Sequence, residues 1–104
     1  MMMNQPQQQT NIPKSQSIKE QLQLPNPSTL EGMRAWKIAS TLAKKGEEFD
    51  SKGKTTDALG FYECSLEYYA QCIKSPELTE NKKKMVKTEL MKYLKRAEKI
   101  KQGL

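Results

Sequence analysis

Two thiols, Cys64 and Cys72, are the side chains best suited to nucleophilic or metal chemistry, and they stand in a chain without histidine. A cysteine nucleophile needs a neighbouring base, and the commonest one is absent. Neither cysteine belongs to a CxxC pair, so no zinc-ligand spacing exists. On one helix the two Cα atoms lie ~12 Å apart at 1.5 Å rise per residue, beyond the span of a disulfide. Both therefore read as small packing residues carrying free thiols, as in a reducing compartment. The glycines Gly32, Gly46, Gly53, Gly60 and Gly103 are isolated, so no glycine-rich loop can cradle a phosphate. No catalytic residue, metal, cofactor or small-molecule substrate is expected, and the chain does not read as an enzyme.

The elements that must carry any other function are helical. The chain has 104 residues, 29% of them charged, with a mean hydropathy of -0.85. That is enough for one small domain. No run approaches the ~18 apolar residues of a membrane span. Met1 to Thr10 lacks the basic and apolar regions of a secretory signal, and the end Lys101-Gln102-Gly103-Leu104 is no prenylation box. A soluble cytosolic protein is expected. Residues 1–28 hold four of the five prolines and seven glutamines. They read as a disordered Gln/Pro-rich tail, with at most a marginal helix over Ser17 to Leu24.

Residues 29–104 divide into three amphipathic helices. The first runs from about Thr29 or Leu30 to Lys52, with Ser28 or Thr29 as N-cap and Gly53 as stop. Its apolar face is Met33, Ala35, Ile38, Ala39, Leu42, Gly46 and Phe49. The second runs from about Thr56 to Lys74 and ends at Ser75-Pro76. Its face is Ala58, Leu59, Tyr62, Ser65, Leu66, Tyr69, Cys72 and Ile73. The third opens at Thr79 or Asn81 and continues to about Gln102, with Val86, Leu90, Tyr93, Ala97 and Ile100 inward. Short connections favour antiparallel neighbours, so the expected fold is an all-α up-down-up three-helix bundle.

Apolar residues remain outside these stripes. Met91 and Leu94 lie beside the core line of the third helix, with Lys87, Lys95 and Glu98 near them. Phe61 and Tyr68, with Cys64 and Ser65 between, form a second stripe on the second helix. If the two spare stripes face each other, they flank a shallow groove suited to an amphipathic helix. If not, they widen the core. Trp36 is also left over; with Ala39 and Ala43 it can line a groove between the first and third helices, or it packs on the tail or the end of the third helix.

Charge is uneven. The net charge is +6 and the pI about 9.3. Residues 81–102 hold nine basic residues against Glu89 and Glu98, a local net of +7. A solvated helix face explains this, and so does an anionic membrane or another polyanion. Nucleic acid is disfavoured, because Arg96 is the lone arginine of that helix and arginine is the usual base reader.

The residues resemble a known family. Gly53-Lys-Thr-Thr-Asp-Ala-Leu-Gly-Phe-Tyr-Glu-Cys-Ser-Leu-Glu-Tyr-Tyr-Ala-Gln-Cys-Ile-Lys74 is similar to the second helix of MIT (microtubule-interacting and trafficking) domains, and also to a tetratricopeptide hairpin. Tyr93-Leu94-Lys95-Arg96-Ala97-Glu98-Lys99-Ile100-Lys101 is similar to the MIT third-helix signature, Tyr-Leu-x-Arg-Ala-Glu-x-Leu/Ile-Lys. The first helix fits through Ala39, Ala43, Asp50 and Gly53. The resemblance covers roughly residues 30–104, and the MIT domain of the vacuolar-sorting AAA ATPase shows the most similar pattern.

The resemblance implies a module that binds C-terminal tails of ESCRT-III subunits and recruits an attached or associated activity. It implies a helical motif between the second and third helices, with Met91, Leu94 and Glu98 at the family's groove positions; together with the spare stripes, the expected peptide-binding residues are Phe61, Ser65, Tyr68, Lys87, Met91, Leu94, Lys95 and Glu98. A second class of motif would lie extended between the first and third helices, near Ala39, Ala43 and Gly46. Lys95 stands where the family has an acid, which implies a less basic or more acidic peptide; Thr55 replaces the usual aromatic. The family further implies a cytoplasmic location peripheral to endosomal membranes. A monomeric module is expected, either standing alone or excised from a longer chain such as an AAA ATPase, protease, kinase or sorting nexin.

Overall fold

The computed structural model describes residues 14–103, and in these the regular structure is all helical. It contains α1 (Lys14–Gln21), a 3-10 turn (Pro27–Thr29), α2 (Gly32–Ser51), α3 (Thr55–Lys74) and α4 (Glu80–Gly103). Helices α2, α3 and α4 are the three helices expected from the periodicity, and they form the antiparallel bundle. Each boundary has a local cause. At the end of α2, Gly53 takes φ +79°. Its N–H bonds the Asp50 carbonyl while the Lys54 N–H reaches back to Phe49, the left-handed stop that glycine favours. Ser75 caps α3 in extended conformation ahead of Pro76. The Thr79 hydroxyl accepts the Lys82 N–H at 3.2 Å and opens α4. The start of α2 departs from expectation. Ser28 and Thr29 belong to the 3-10 turn, which Asn26 caps. The N-terminal N–H of Gly32 is instead bound at 3.1 Å by the Glu77 carboxylate.

Helix α3 is central. Ala58, Tyr62, Ser65, Tyr69 and Cys72 of its core face are buried, as are Val86, Tyr93, Ala97 and Ile100 of α4. From α2 come Ala35, Ala39, Leu42 and Ala43. Met33, expected inward, is half exposed instead, with its sulfur 4.0 Å from Lys82 Nζ. Helices α2 and α3 approach closely because of a small residue: a Cβ on Gly46 would lie 2.8 Å from the ring of Tyr62.

The expectation of a disordered tail to residue 28 needs correction from residue 14 onward; residues 1–13 lie outside the described residues. Helix α1 lies along α3. Ile18 is buried there, against a notch left by Gly60, where a Cβ would meet the Lys14 stem and lie 3.2 Å from Ile18 Cδ1. Lys19 bridges to Glu67 at 2.6 Å and Lys14 to Asp57 at 3.2 Å. After α1 the chain reverses at Gln23 (φ 54°) and then runs over α3. The Tyr68 hydroxyl donates to the Pro25 carbonyl at 2.7 Å, and Gln71 donates to the Leu30 carbonyl at 3.2 Å. An eight-residue helix is marginal alone; this one is held by its anchor, two ion pairs and the strap that follows.

Candidate functional site

A trough runs between α2 and α4. Both helices rest on α3, and long side chains span the gap above it. Arg96 of α4 grips Asp50 of α2 with two bonds of 2.7 Å. Trp36 donates its indole N–H to Glu89 at 3.1 Å, so Trp36 joins the two helices. The Tyr93 hydroxyl donates to Glu47 at 3.2 Å, and Lys92 reaches the same carboxylate at 3.3 Å. Two cavities open along this line. One, of about 570 Å³, is lined by Glu47, Asp50, Ser51, Tyr62, Lys92, Tyr93 and Arg96. The other, of about 280 Å³, is lined by Ser40, Lys44, Tyr69, Glu89, Lys92 and Tyr93.

The floor of the trough is aromatic. Tyr93 stacks on Tyr62 and Tyr69, with centroids 5.6 and 6.1 Å apart. Burial pushes all three phenols above their ordinary value, so they stay neutral hydrogen-bonding groups. The carboxylates of the trough are already engaged. The Arg96 hydrogen bond, aided by that of Tyr62, holds the Asp50 carboxyl below its ordinary value against the opposing effect of burial. Lys44 is exposed and pairs with no carboxylate among the described residues. The trough therefore offers the edges of largely buried tyrosines, polar side chains already engaged within the bundle, and the exposed Lys44 at its rim.

The groove expected between the second and third helices is divided differently. Phe61 is half-buried and stacks on Phe49 of α2 at 5.4 Å. Ser65 is buried and donates to the Tyr62 carbonyl at 2.7 Å. Tyr68 is fully buried, and burial pushes its phenol up to about 12. These three face α2, the core and the N-terminal strap, so they do not line a groove with α4. Successive residues of a helix turn by about 100°. Phe61, Tyr68 and Cys64 therefore lie on the flank of α3 away from Glu63, whose carboxylate takes Lys101 of α4 at 3.0 Å.

On α4, Leu94 is half-buried on the side of that Glu63 pair, while Lys87, Met91, Lys95 and Glu98 are exposed. Lys87, Met91 and Lys95 share a shallow concavity of about 430 Å³ made by α4 alone. The second expected groove also shifts. Ala39, Ala43 and Gly46 are buried on the core face of α2, and Ser40, Lys44 and Glu47 on its flank line the trough instead. Those flank residues recur every three or four positions beside the apolar stripe, which is the signal that marks them.

Cysteine chemistry finds no support. Both thiols are buried; burial raises Cys64 to about 12 and Cys72 to about 11. Cys72 donates to the Tyr68 and Gly32 carbonyls at 3.2 and 3.4 Å. Among the described residues, no three His, Cys, Asp or Glu side chains could share a metal ion.

A small antiparallel bundle with an open inter-helix trough belongs to the class of helical docking modules. The MIT (microtubule interacting and transport) family model matches residues 37–102, and the chain belongs to the MIT domain family. An MIT domain is a protein–protein interaction module and is not catalytic by itself. No curated protein sequence and no solved structure matches the chain.

Proposed function

We propose that this MIT domain binds C-terminal tails of ESCRT-III subunits in the trough between α2 and α4, and so recruits an attached or associated activity to membrane-remodelling assemblies. The supporting observation is the pair of cavities that share Lys92 and Tyr93 above the tyrosine floor. An extended segment suits this shape, because a narrow trough walled by two helices admits one chain. Glu47, Asp50 and Glu89 are held by partners within the bundle, whereas Lys44 stands at the rim with no such partner among the described residues. Acidic flanks on the tail are therefore favoured over basic ones. The reading implies a cytoplasmic module at endosomal membranes, as a stand-alone chain or within a longer parent.

A second mode is supported by Leu94, half-buried beside α3 with Glu98 exposed one turn on. A helical motif would lie there along the seam between α3 and α4.

Fluorescence anisotropy with labelled ESCRT-III tails separates the modes. Ser40→Arg fills the trough, and Lys44→Glu reverses its rim. Both weaken tail binding by tenfold or more if the trough is the site, and Leu94→Asp leaves it unchanged. Loss with Leu94→Asp alone moves the site to the α3–α4 seam. No binding by any tail removes the proposal.

A further inference from the structure

We propose that the outward ridge of α4, built on Lys84, Lys87, Met91, Lys95 and Lys99, seats the domain directly on an anionic lipid bilayer. Beyond Lys82 and Lys83 near its start, the seven other basic residues of α4 sort into two groups. Lys92, Arg96 and Lys101 face carboxylates of the bundle, at Glu47, Asp50 and Glu63. Lys84, Lys87, Lys95 and Lys99 are exposed and lie within 4 Å of no carboxylate among the described residues. Their position follows from helical geometry. At about 100° per residue, Lys84, Met91 and Lys95 fall within about 20° of the line opposite buried Tyr93, and Lys87 and Lys99 flank it. The row from Lys84 to Lys99 is about 22 Å long at 1.5 Å per residue. Two exposed acids share this face, Glu98 and, one turn before Lys84, Glu80.

The chemistry of the ridge selects its partner. It is one helix facing away from α2 and α3, and its shallow concavity at Lys87, Met91 and Lys95 has no second wall, so it fits a plane better than it encloses a peptide. Met91, 47% exposed, stands among the lysines, whereas Met85, 56% exposed, lies about 100° away on the flank of Lys92 and Arg96. A flexible apolar side chain between cations suits a headgroup layer, where ammonium groups meet phosphates and a thioether enters the boundary beneath. A nucleic acid would be read better by arginine, and Arg96 is held by Asp50. The trough opens on the α2 side of α4, so seating on the ridge leaves it free. The inference therefore stands apart from tail binding.

Vesicle sedimentation tests it. The domain should pellet with phosphatidylcholine vesicles that contain phosphatidylserine, not with phosphatidylcholine alone, and salt should release it. Lys87→Gln combined with Lys95→Gln should weaken binding by about 30-fold, since each lysine near an anionic surface contributes roughly a factor of five. Lys52→Gln with Lys54→Gln, off the ridge, should change it by no more than twofold. Equal loss in both pairs would mean bulk charge and overturns the assignment. So do absence of pelleting, equal pelleting with neutral vesicles, and tighter binding of a DNA duplex than of the anionic vesicles. Unchanged circular dichroism of the exposed-site variants confirms that the readout is binding.

Discussion

Arg96 and Asp50 clamp together the two helices that wall the trough. Nε and Nη2 of the guanidinium each lie 2.7 Å from one carboxylate oxygen of Asp50, and the Tyr62 hydroxyl adds a third bond at 3.0 Å. Asp50 is the better protected partner, with its side chain 16% exposed against 42% for Arg96. Asp50→Ala removes all three bonds and should cost about 2 kcal/mol in urea unfolding, a figure kept low because Arg96 can turn to water. Once Asp50 is Ala, a further Arg96→Met change should cost little. Full additivity of the two changes would show that the pair is not coupled.

The same pair predicts an acid response. The Asp50 carboxyl lies lower in the folded chain than its ordinary 3.8, chiefly through the Arg96 hydrogen bond. A depressed carboxyl contributes stability that is complete above its unfolded value and is lost as the pH falls through the folded one. Melting temperature should therefore drop as the pH falls below about 4, and Asp50→Asn should flatten that drop. Glu77 acts in the same direction, held below 4.5 by the Ser75 hydroxyl and then by the Gly32 N–H. Parallel profiles for Asp50→Asn and the wild type would contradict the assignment.

Gly46 sets how closely α2 sits on α3. Gly46→Val places a Cβ 2.8 Å from two ring carbons of Tyr62, and that ring is stacked on Tyr93. The ring cannot retreat without disturbing the trough floor. Gly46→Val should cost about 2–3 kcal/mol in chemical unfolding, and a neutral result would mean that α2 slides freely on α3.

The N-terminal helix should come off as a unit. Gly60→Leu fills the notch under Ile18 and should free residues 14–24 while α2, α3 and α4 stay folded. Hydrogen exchange should then be fast in α1 and slow in the bundle. Tyr68→Phe, which removes the bond to the Pro25 carbonyl, should loosen the strap by about 1 kcal/mol. Unchanged protection in α1 after both changes would show that other contacts hold it.

The bundle was legible because the apolar residues of each helix recur every three or four positions and the stops at Gly53 and Pro76 are local. The neighbours of the spare stripe were not legible. Periodicity shows that Phe61 and Tyr68 need cover, but it does not say from which element. Here Phe49 and the segment from Ile18 to Leu30 supply it, through contacts up to 43 residues apart in sequence. Composition argued against that segment, since its helix has one buried anchor, Ile18. The overlooked sign was Gly60, an interior helix glycine that marks close approach of another chain segment. The trough escaped for a related reason. Ser40, Lys44 and Lys92 are polar, and a search for apolar leftovers passes over a site with polar walls and a tyrosine floor drawn from two helices.

Chemical-shift mapping with an unlabelled ESCRT-III tail tests the central claim most directly, because it locates the contact without altering the domain. Binding in the trough predicts amide shifts concentrated at Ser40, Lys44, Ser51, Lys92 and Tyr93, saturating together along one titration curve. Shifts confined to Leu66, Ile73 and Leu94, or none at all, would contradict it.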